Sequence, residues 1–153
     1  MRQRIPFELS KDQSFFDSLS GWIGDVLYDE LPEKGLECRD EQIFMAFQIE
    51  QALKEKQVLF AEAGVGTGKT IAYLLPAISY ARYTGRPALI ACADETLIDQ
   101  LVKAEGDIGK LQSLLDLKID VRLAKSRDQY LCLKRFEEVE KVEMEEWIDD
   151  IAF

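Results

Sequence analysis

The chain has 153 residues, 47% of them apolar, which is enough for one modest domain with a core and too little for two. Cys38, Cys92 and Cys132 are odd in number and far apart, and the chain has no histidine, so their spacing supports neither a disulfide framework nor a local zinc site. Pro6 and Glu8 interrupt the opening where a signal peptide needs an apolar run, and no segment approaches the ~18 apolar residues of a membrane span; a cytoplasmic chain without a membrane partner is expected.

Ser10 and Gln13 form a capping-box pattern ahead of Phe15, Phe16, Leu19, Trp22, Ile23, Val26 and Leu27, whose spacing predicts an amphipathic helix ending near Leu31 and Pro32. The aromatic stripe is read as packing. Lys34 and Gly35 make a turn, and Arg39 to Gln42 open a second helix with Phe44, Phe47, Ala52 and Leu53 as its buried side. Gln42 has two readings, an ordinary polar helix residue or a carboxamide that donates to and accepts from an adenine edge.

Val58 to Ala61 is an apolar run that predicts a strand. AGVGTGKT follows at once, and a helical period begins at its lysine. Strand, glycine-rich turn and helix are the parts of a phosphate-binding loop. Ala63, Gly64, Val65, Gly66, Thr67 and Gly68 turn backbone N–H groups inward beside a helix N-terminus, Lys69 supplies a positive charge for the β- and γ-phosphates, and Thr70 offers a hydroxyl to Mg²⁺. The helix should run to about Tyr83, bent at Pro76, and stop at Thr84 and Gly85.

Ala88 to Ala91 predicts a second strand, covered on both faces. A helix begins at Asp94 or Glu95 with Leu97, Ile98, Leu101 and Val102 inward, a further short helix spans about Asp107 to Leu115, and Ile119 to Leu123 predicts a third strand. The alternation predicts an α/β fold, a three-layer sandwich around a parallel sheet with right-handed crossovers, its ligand site beyond the carboxyl ends of the strands.

The formal charge of −10 is unevenly placed. Phe136 to Asp150 has eight acidic residues against Lys141, a net of −7 that leaves −3 for residues 1–135. Lys118, Arg122, Lys125, Arg127, Lys134 and Arg135 face only Asp120 and Asp128, a basic stretch that suits a phosphate backbone or a solvated face equally well. The last segment reads either as a partly amphipathic helix or as a detached acidic tail.

Three stretches together resemble the DinG branch of the XPD-like, iron–sulfur-containing superfamily 2 DNA helicases: RDEQ with the A-x-x-G-x-G-K-T loop, LIACADETLIDQLV, and KSRDQYLC. The resemblance covers most of residues 36–135. It implies a RecA-like motor domain, incomplete here, and an ATP- and Mg²⁺-dependent enzyme that moves 5′ to 3′ on single-stranded DNA in repair or replication. It further implies an adenine contact by Gln42 with Arg39, strand contact by Cys92, Ala93, Asp94, Glu95, Thr96 and Gln100, and Cys132 as a candidate 4Fe–4S ligand in the full-length protein. Cys92 stands where that family usually has threonine, and a thiol is a weaker donor.

The family's D-E-x-H tetrapeptide, three further cluster cysteines and the second motor domain do not occur in the chain. An N-terminal piece of a longer, monomeric enzyme, inactive alone, is therefore expected: residues 1–35 a helical extension, 36–124 part of the motor domain, 125–153 the start of an iron–sulfur-type insertion. The competing readings are a non-catalytic ATP- or DNA-binding chain and an unrelated P-loop ATPase.

Overall fold

Ser14, not Ser10, starts the first helix. Its hydroxyl accepts the Asp17 N–H at 3.2 Å and donates to the Asp17 carboxylate at 2.7 Å, while that carboxylate accepts the Ser14 N–H at 3.3 Å. This capping box opens α1 (Phe15–Gly24) one turn later than the Ser10 pattern predicts. The helix continues through a π-helical turn (Asp25–Glu30) into α2 (Leu31–Glu33) and stops at Gly35, whose φ of 81° lets the Leu36 N–H reach the Leu31 carbonyl at 2.9 Å. The wider turn keeps Val26, Leu27 and Leu31 buried in sequence with Leu19 and Ile23. The computed structural model describes residues 5–103 and 105–138.

Within residues 36–121 four more helices follow: α3 (Asp40–Glu55), α4 (Lys69–Thr84), α5 (Glu95–Val102) and α6 (Asp107–Leu115). Helix α4 is central, packed on α1, α3 and α6, with Ala72, Leu74, Leu75, Pro76, Ile78 and Ser79 buried. Pro76 lies inside this helix without ending it. Phe15 of α1 stacks on Tyr83 with ring centroids 3.9 Å apart and planes 11° apart, and Phe7, Phe16, Trp22 and Tyr80 extend the aromatic contact. The stripe on α1 is packing, as its spacing predicts. On α3 the fully buried residues are Gln42, Ile43, Ala46 and Glu50; of the residues expected inward, Phe47 packs half-buried against the core, whereas Phe44 is 66% exposed.

The expected parallel sheet and three-layer sandwich are not present. Among the described residues there is no strand at all; the architecture is helical. The three runs expected as strands, 58–61, 88–91 and 119–123, lie without ladder partners, and Val58 (83%), Phe60 (94%) and Leu89 (91%) face outward. A strand is completed by hydrogen bonds to a neighbour and by side chains above and below it. These runs carry apolar residues but meet no partner edge, whereas each helix satisfies its backbone internally.

The chain forms two compact units, Met1–Val121 and Arg122–Phe153. In the first, the Lys34 ammonium donates to the Leu114 carbonyl in the last turn of α6 and the Arg82 guanidinium to the Lys118 carbonyl in the loop after it. In the second, the Tyr130 hydroxyl accepts the Lys125 N–H at 2.9 Å and reaches the Leu123 carbonyl at 3.5 Å, folding the segment around a 3₁₀ turn (Arg127–Gln129). The acidic segment's competing helix and tail readings fall largely on 139–153, outside the described residues. Among the described residues no helix is long and apolar enough to cross a membrane.

Candidate nucleotide-binding site

Residues 63–70 form a loop whose shape depends on two glycines. Gly66 and Gly68 have φ of 81° and 74°, a region costly for other residues, and a Cβ at Gly68 would lie 2.6 Å from Gln42 Nε2. Gly68 is also the N-cap of α4, and no side chain caps that helix, so its first-turn amides and dipole face the loop. Thr67 Oγ1 closes the turn by donating to the Gly64 carbonyl at 3.0 Å. Val65 stands fully exposed at the crest.

Lys69 folds back over this loop. Its ammonium donates to the Ala63 carbonyl at 2.8 Å and the Gly64 carbonyl at 2.6 Å, and among the described residues it is paired with no carboxylate. The cradle holds a net positive charge satisfied only by neutral oxygens, which suits an anion of the size of a phosphate group. The residues present thus fit a nucleotide triphosphate with its Mg²⁺: backbone amides and Lys69 for the phosphates, Thr70 for the cation.

Gln42 reaches the loop from α3. It is 4% exposed; its Nε2 donates to the Gly68 carbonyl at 3.2 Å and its Oε1 accepts the Arg39 N–H at 3.5 Å. The Arg39 guanidinium lies across Gly66, with Nη1 3.6 Å from the position a Cβ there would take. The structure therefore brings Arg39, Gln42 and residues 63–70 together, although Arg39 and Gln42 precede the loop by more than twenty positions.

A cavity of about 770 Å³ opens beside α4, and Lys69, Thr70, Cys92, Ala93 and Gln100 are all in its wall. Asp94 is occupied as the N-cap of α5, its Oδ1 accepting the Leu97 N–H at 2.9 Å, and Glu95 and Thr96 are exposed. Tyr73, also in the wall, was not legible as a site residue from composition, yet it stands three positions after Thr70, on the same helical face. Burial raises the Tyr73 phenol above its ordinary pKa; a hydrogen bond from Thr70 acts in the opposite direction, and Cys92 and Asp107 reinforce the rise.

Cys132 is exposed at the start of a helical turn over 133–138 in the second unit. All three cysteines are free, and among the described residues no group of metal-ligating side chains is assembled.

The profile of the DEAD/DEAH box helicases matches residues 46–143. A probable ATP-dependent helicase, YpvA of Bacillus subtilis, is 65% identical over 147 residues, which is 95% of this chain and 23% of that protein. The ATP-dependent DNA helicase YoaA of Haemophilus influenzae is 38% identical over 69% of this chain and 16% of its own length. The 3′-5′ exonuclease DinG of Bacillus subtilis is 29% identical over 90% of this chain and 15% of its own length. The chain thus spans less than a quarter of these relatives. No solved structure matches it.

Proposed function

The chain belongs to the DEAD/DEAH box helicase family, and from that premise we propose that it carries the ATP-binding part of an ATP-dependent DNA helicase of the DinG-like kind. The observation that carries the reading is the Lys69 ammonium, held in a glycine cradle at the uncapped N-terminus of α4 by two backbone carbonyls. An arriving triphosphate replaces those neutral acceptors with charged oxygens, a stronger class of hydrogen bond. The amides of the loop orient the β-phosphate, and Thr70 presents its hydroxyl where the cation would sit. When bound, Mg²⁺ neutralises phosphate charge and fixes the geometry of the transferred group.

Gln42 gives the site its base preference. One N–H of its carboxamide is spent on Gly68 and one lone pair on Arg39, which leaves one donor and one acceptor for an adenine edge. The same side chain thus ties recognition of the base to the shape of the phosphate loop, while the Arg39 guanidinium beside Gly66 adds positive charge to the same mouth.

Single-stranded DNA is the proposed track, and residues 92–96 with Gln100 are the proposed contacts. Asp94 already serves as a cap and Asp94 and Glu95 are anionic, so the backbone N–H groups at this helix start, Thr96 and Gln100 are the groups that suit a phosphodiester. A 4Fe–4S cluster needs four thiolates and this chain has three cysteines, two of them half-buried in the first unit. The chain by itself does not fit that cluster.

The test is calorimetric titration of ATP with Mg²⁺ into the chain and into Lys69→Ala. The expected result is binding by the parent and a loss of about tenfold or more in the variant, the scale of a charge-assisted contact. Equal affinity in both proteins would remove the phosphate-loop assignment.

A further inference from the structure

The basic stretch after α6 is left unused by the proposed nucleotide site, and most of it folds in the second unit. From Arg122 to Phe136 there are five cationic side chains, Arg122, Lys125, Arg127, Lys134 and Arg135, against Asp128, in a chain whose formal charge is −10. Among them stands Tyr130. Its hydroxyl accepts the Lys125 N–H at 2.9 Å and reaches the Leu123 carbonyl at 3.5 Å, around a capped 3₁₀ turn in which the Ser126 N–H donates to Gln129 Oε1 at 3.1 Å. The phenol is thus engaged at its oxygen, whereas the side chain is 53% exposed and no aromatic ring of the described residues packs on it. A ring tethered in this way is ordered before a ligand arrives, so covering its face costs little further conformational entropy.

The bases of a single strand expose the faces that a duplex keeps stacked, and an aromatic platform beside cations suits such a strand: the ring takes a base and the cations take the phosphates. Arg127 is exposed in the 3₁₀ turn, and Lys134 and Arg135 are exposed in the helical turn over 133–138, so cations flank Tyr130 on both sides along the chain. Lys134 lies 4.0 Å from the Glu138 carboxylate with both side chains mostly exposed, a contact too weak to hold it against phosphate. A merely solvated charged face would need no tethered ring.

We infer that Tyr130 is a stacking platform for an unpaired base, and that Arg127, Lys134 and Arg135 hold the adjoining phosphates of single-stranded DNA. The inference rests on the reading of single-stranded DNA as the track and deepens it by assigning a strand contact to the second unit, additional to residues 92–96 and Gln100.

The experiment is fluorescence anisotropy of a labelled oligothymidine of roughly 16 nucleotides, titrated with the 153-residue chain and its variants at several salt concentrations. Tyr130→Ala should weaken binding about fivefold or more at every salt concentration, the worth of one base stack. Tyr130→Phe, which keeps the ring and deletes the hydroxyl, should lose less than Tyr130→Ala, and Tyr130→Trp should match or exceed Tyr130→Phe. Arg127→Gln combined with Arg135→Gln should instead flatten the dependence of log affinity on log salt, by about 0.7 for each phosphate contact removed. The ring-retaining and arginine variants keep the question decidable if Tyr130→Ala does not fold.

Full affinity in Tyr130→Ala, equal losses in Tyr130→Ala and Tyr130→Phe, or an unaltered salt slope in the double arginine variant would each overturn the inference. Equal affinity for the same strand annealed to its complement would also overturn it, because attraction to a polyanion would then suffice. Gln100→Ala separates the inference from the reading beneath it: a loss there with none in Tyr130→Ala keeps the contact in the first unit and removes the one in the second. If the parent chain binds no oligonucleotide at low salt, both strand contacts fall, while the ATP site still stands or falls with Lys69→Ala.

Discussion

Glu50 shows how a single buried carboxylate shapes the stability of this chain. It lies on the inward face of α3 at 4% exposure; one oxygen accepts the Ser20 hydroxyl at 3.0 Å and the other has no partner among the described residues. Burial raises its pKa, the Ser20 hydrogen bond and Lys54 oppose the rise, and Asp17 adds to it. With the folded value above the unfolded one, the folded chain keeps a proton that the unfolded chain has released. Stability from this group is therefore full below the ordinary glutamate range and is lost as pH rises through the raised value. Glu50→Gln should be more stable than the parent at about pH 7 and should lose this part of the pH dependence, as urea unfolding at about pH 4 and pH 7 would read. An unchanged difference between the two pH values would remove Glu50 as its source.

Among the helices, α4 matters most, because it carries the glycine loop of the proposed nucleotide site at one end and an aromatic anchor at the other. Phe15, 6% exposed, stacks on Tyr83 in the last turn of α4, and the same ring lies edge-on to Phe16 at 5.2 Å between centroids. Phe15→Ala should cost about 3–5 kcal/mol of stability, measured by denaturant unfolding, the usual range for deleting a buried ring. A cost under about 1 kcal/mol would mean that α1 merely rests on α4. Helix existence was legible here because apolar spacing is local. The start of α1 was not, since Ser10 and Ser14 both precede acceptable N3 residues and only packing decides between them. The face of α3 was read only in part: Phe47 does pack on the core, but Phe44 is exposed while Gln42 and Glu50 are inward, where Gly68 and Ser20 offer them partners.

At the level of the whole molecule, the glycine pattern predicted a turn leading into the N-terminus of α4, and the turn is there because such a loop is built from consecutive residues. For Gln42 the chemistry of the carboxamide left two readings open, and the resemblance favoured one of them with Arg39; nothing in their spacing states that α3 packs on the loop. The sheet failed as an expectation because pairing is non-local: 58–61, 88–91 and 119–123 have the composition of strands, but composition does not supply an edge to bond with. The consequence is an apolar surface, with Phe60 and Leu89 more than 90% exposed. The chain should enhance the fluorescence of anilinonaphthalene sulfonate, and Phe60→Lys combined with Leu89→Lys should reduce that signal severalfold without loss of helical circular dichroism. A signal unaltered by both substitutions would place the dye elsewhere.

The embrace of Lys69 by its own main chain also sets what kind of visitor can open it. Breaking two carbonyl contacts is worthwhile only for a newcomer that brings anionic oxygen in return. Adenosine, lacking phosphate, has nothing to trade for the ammonium, so on the proposed reading it should leave the clasp shut and be told from a nucleotide before any base is read.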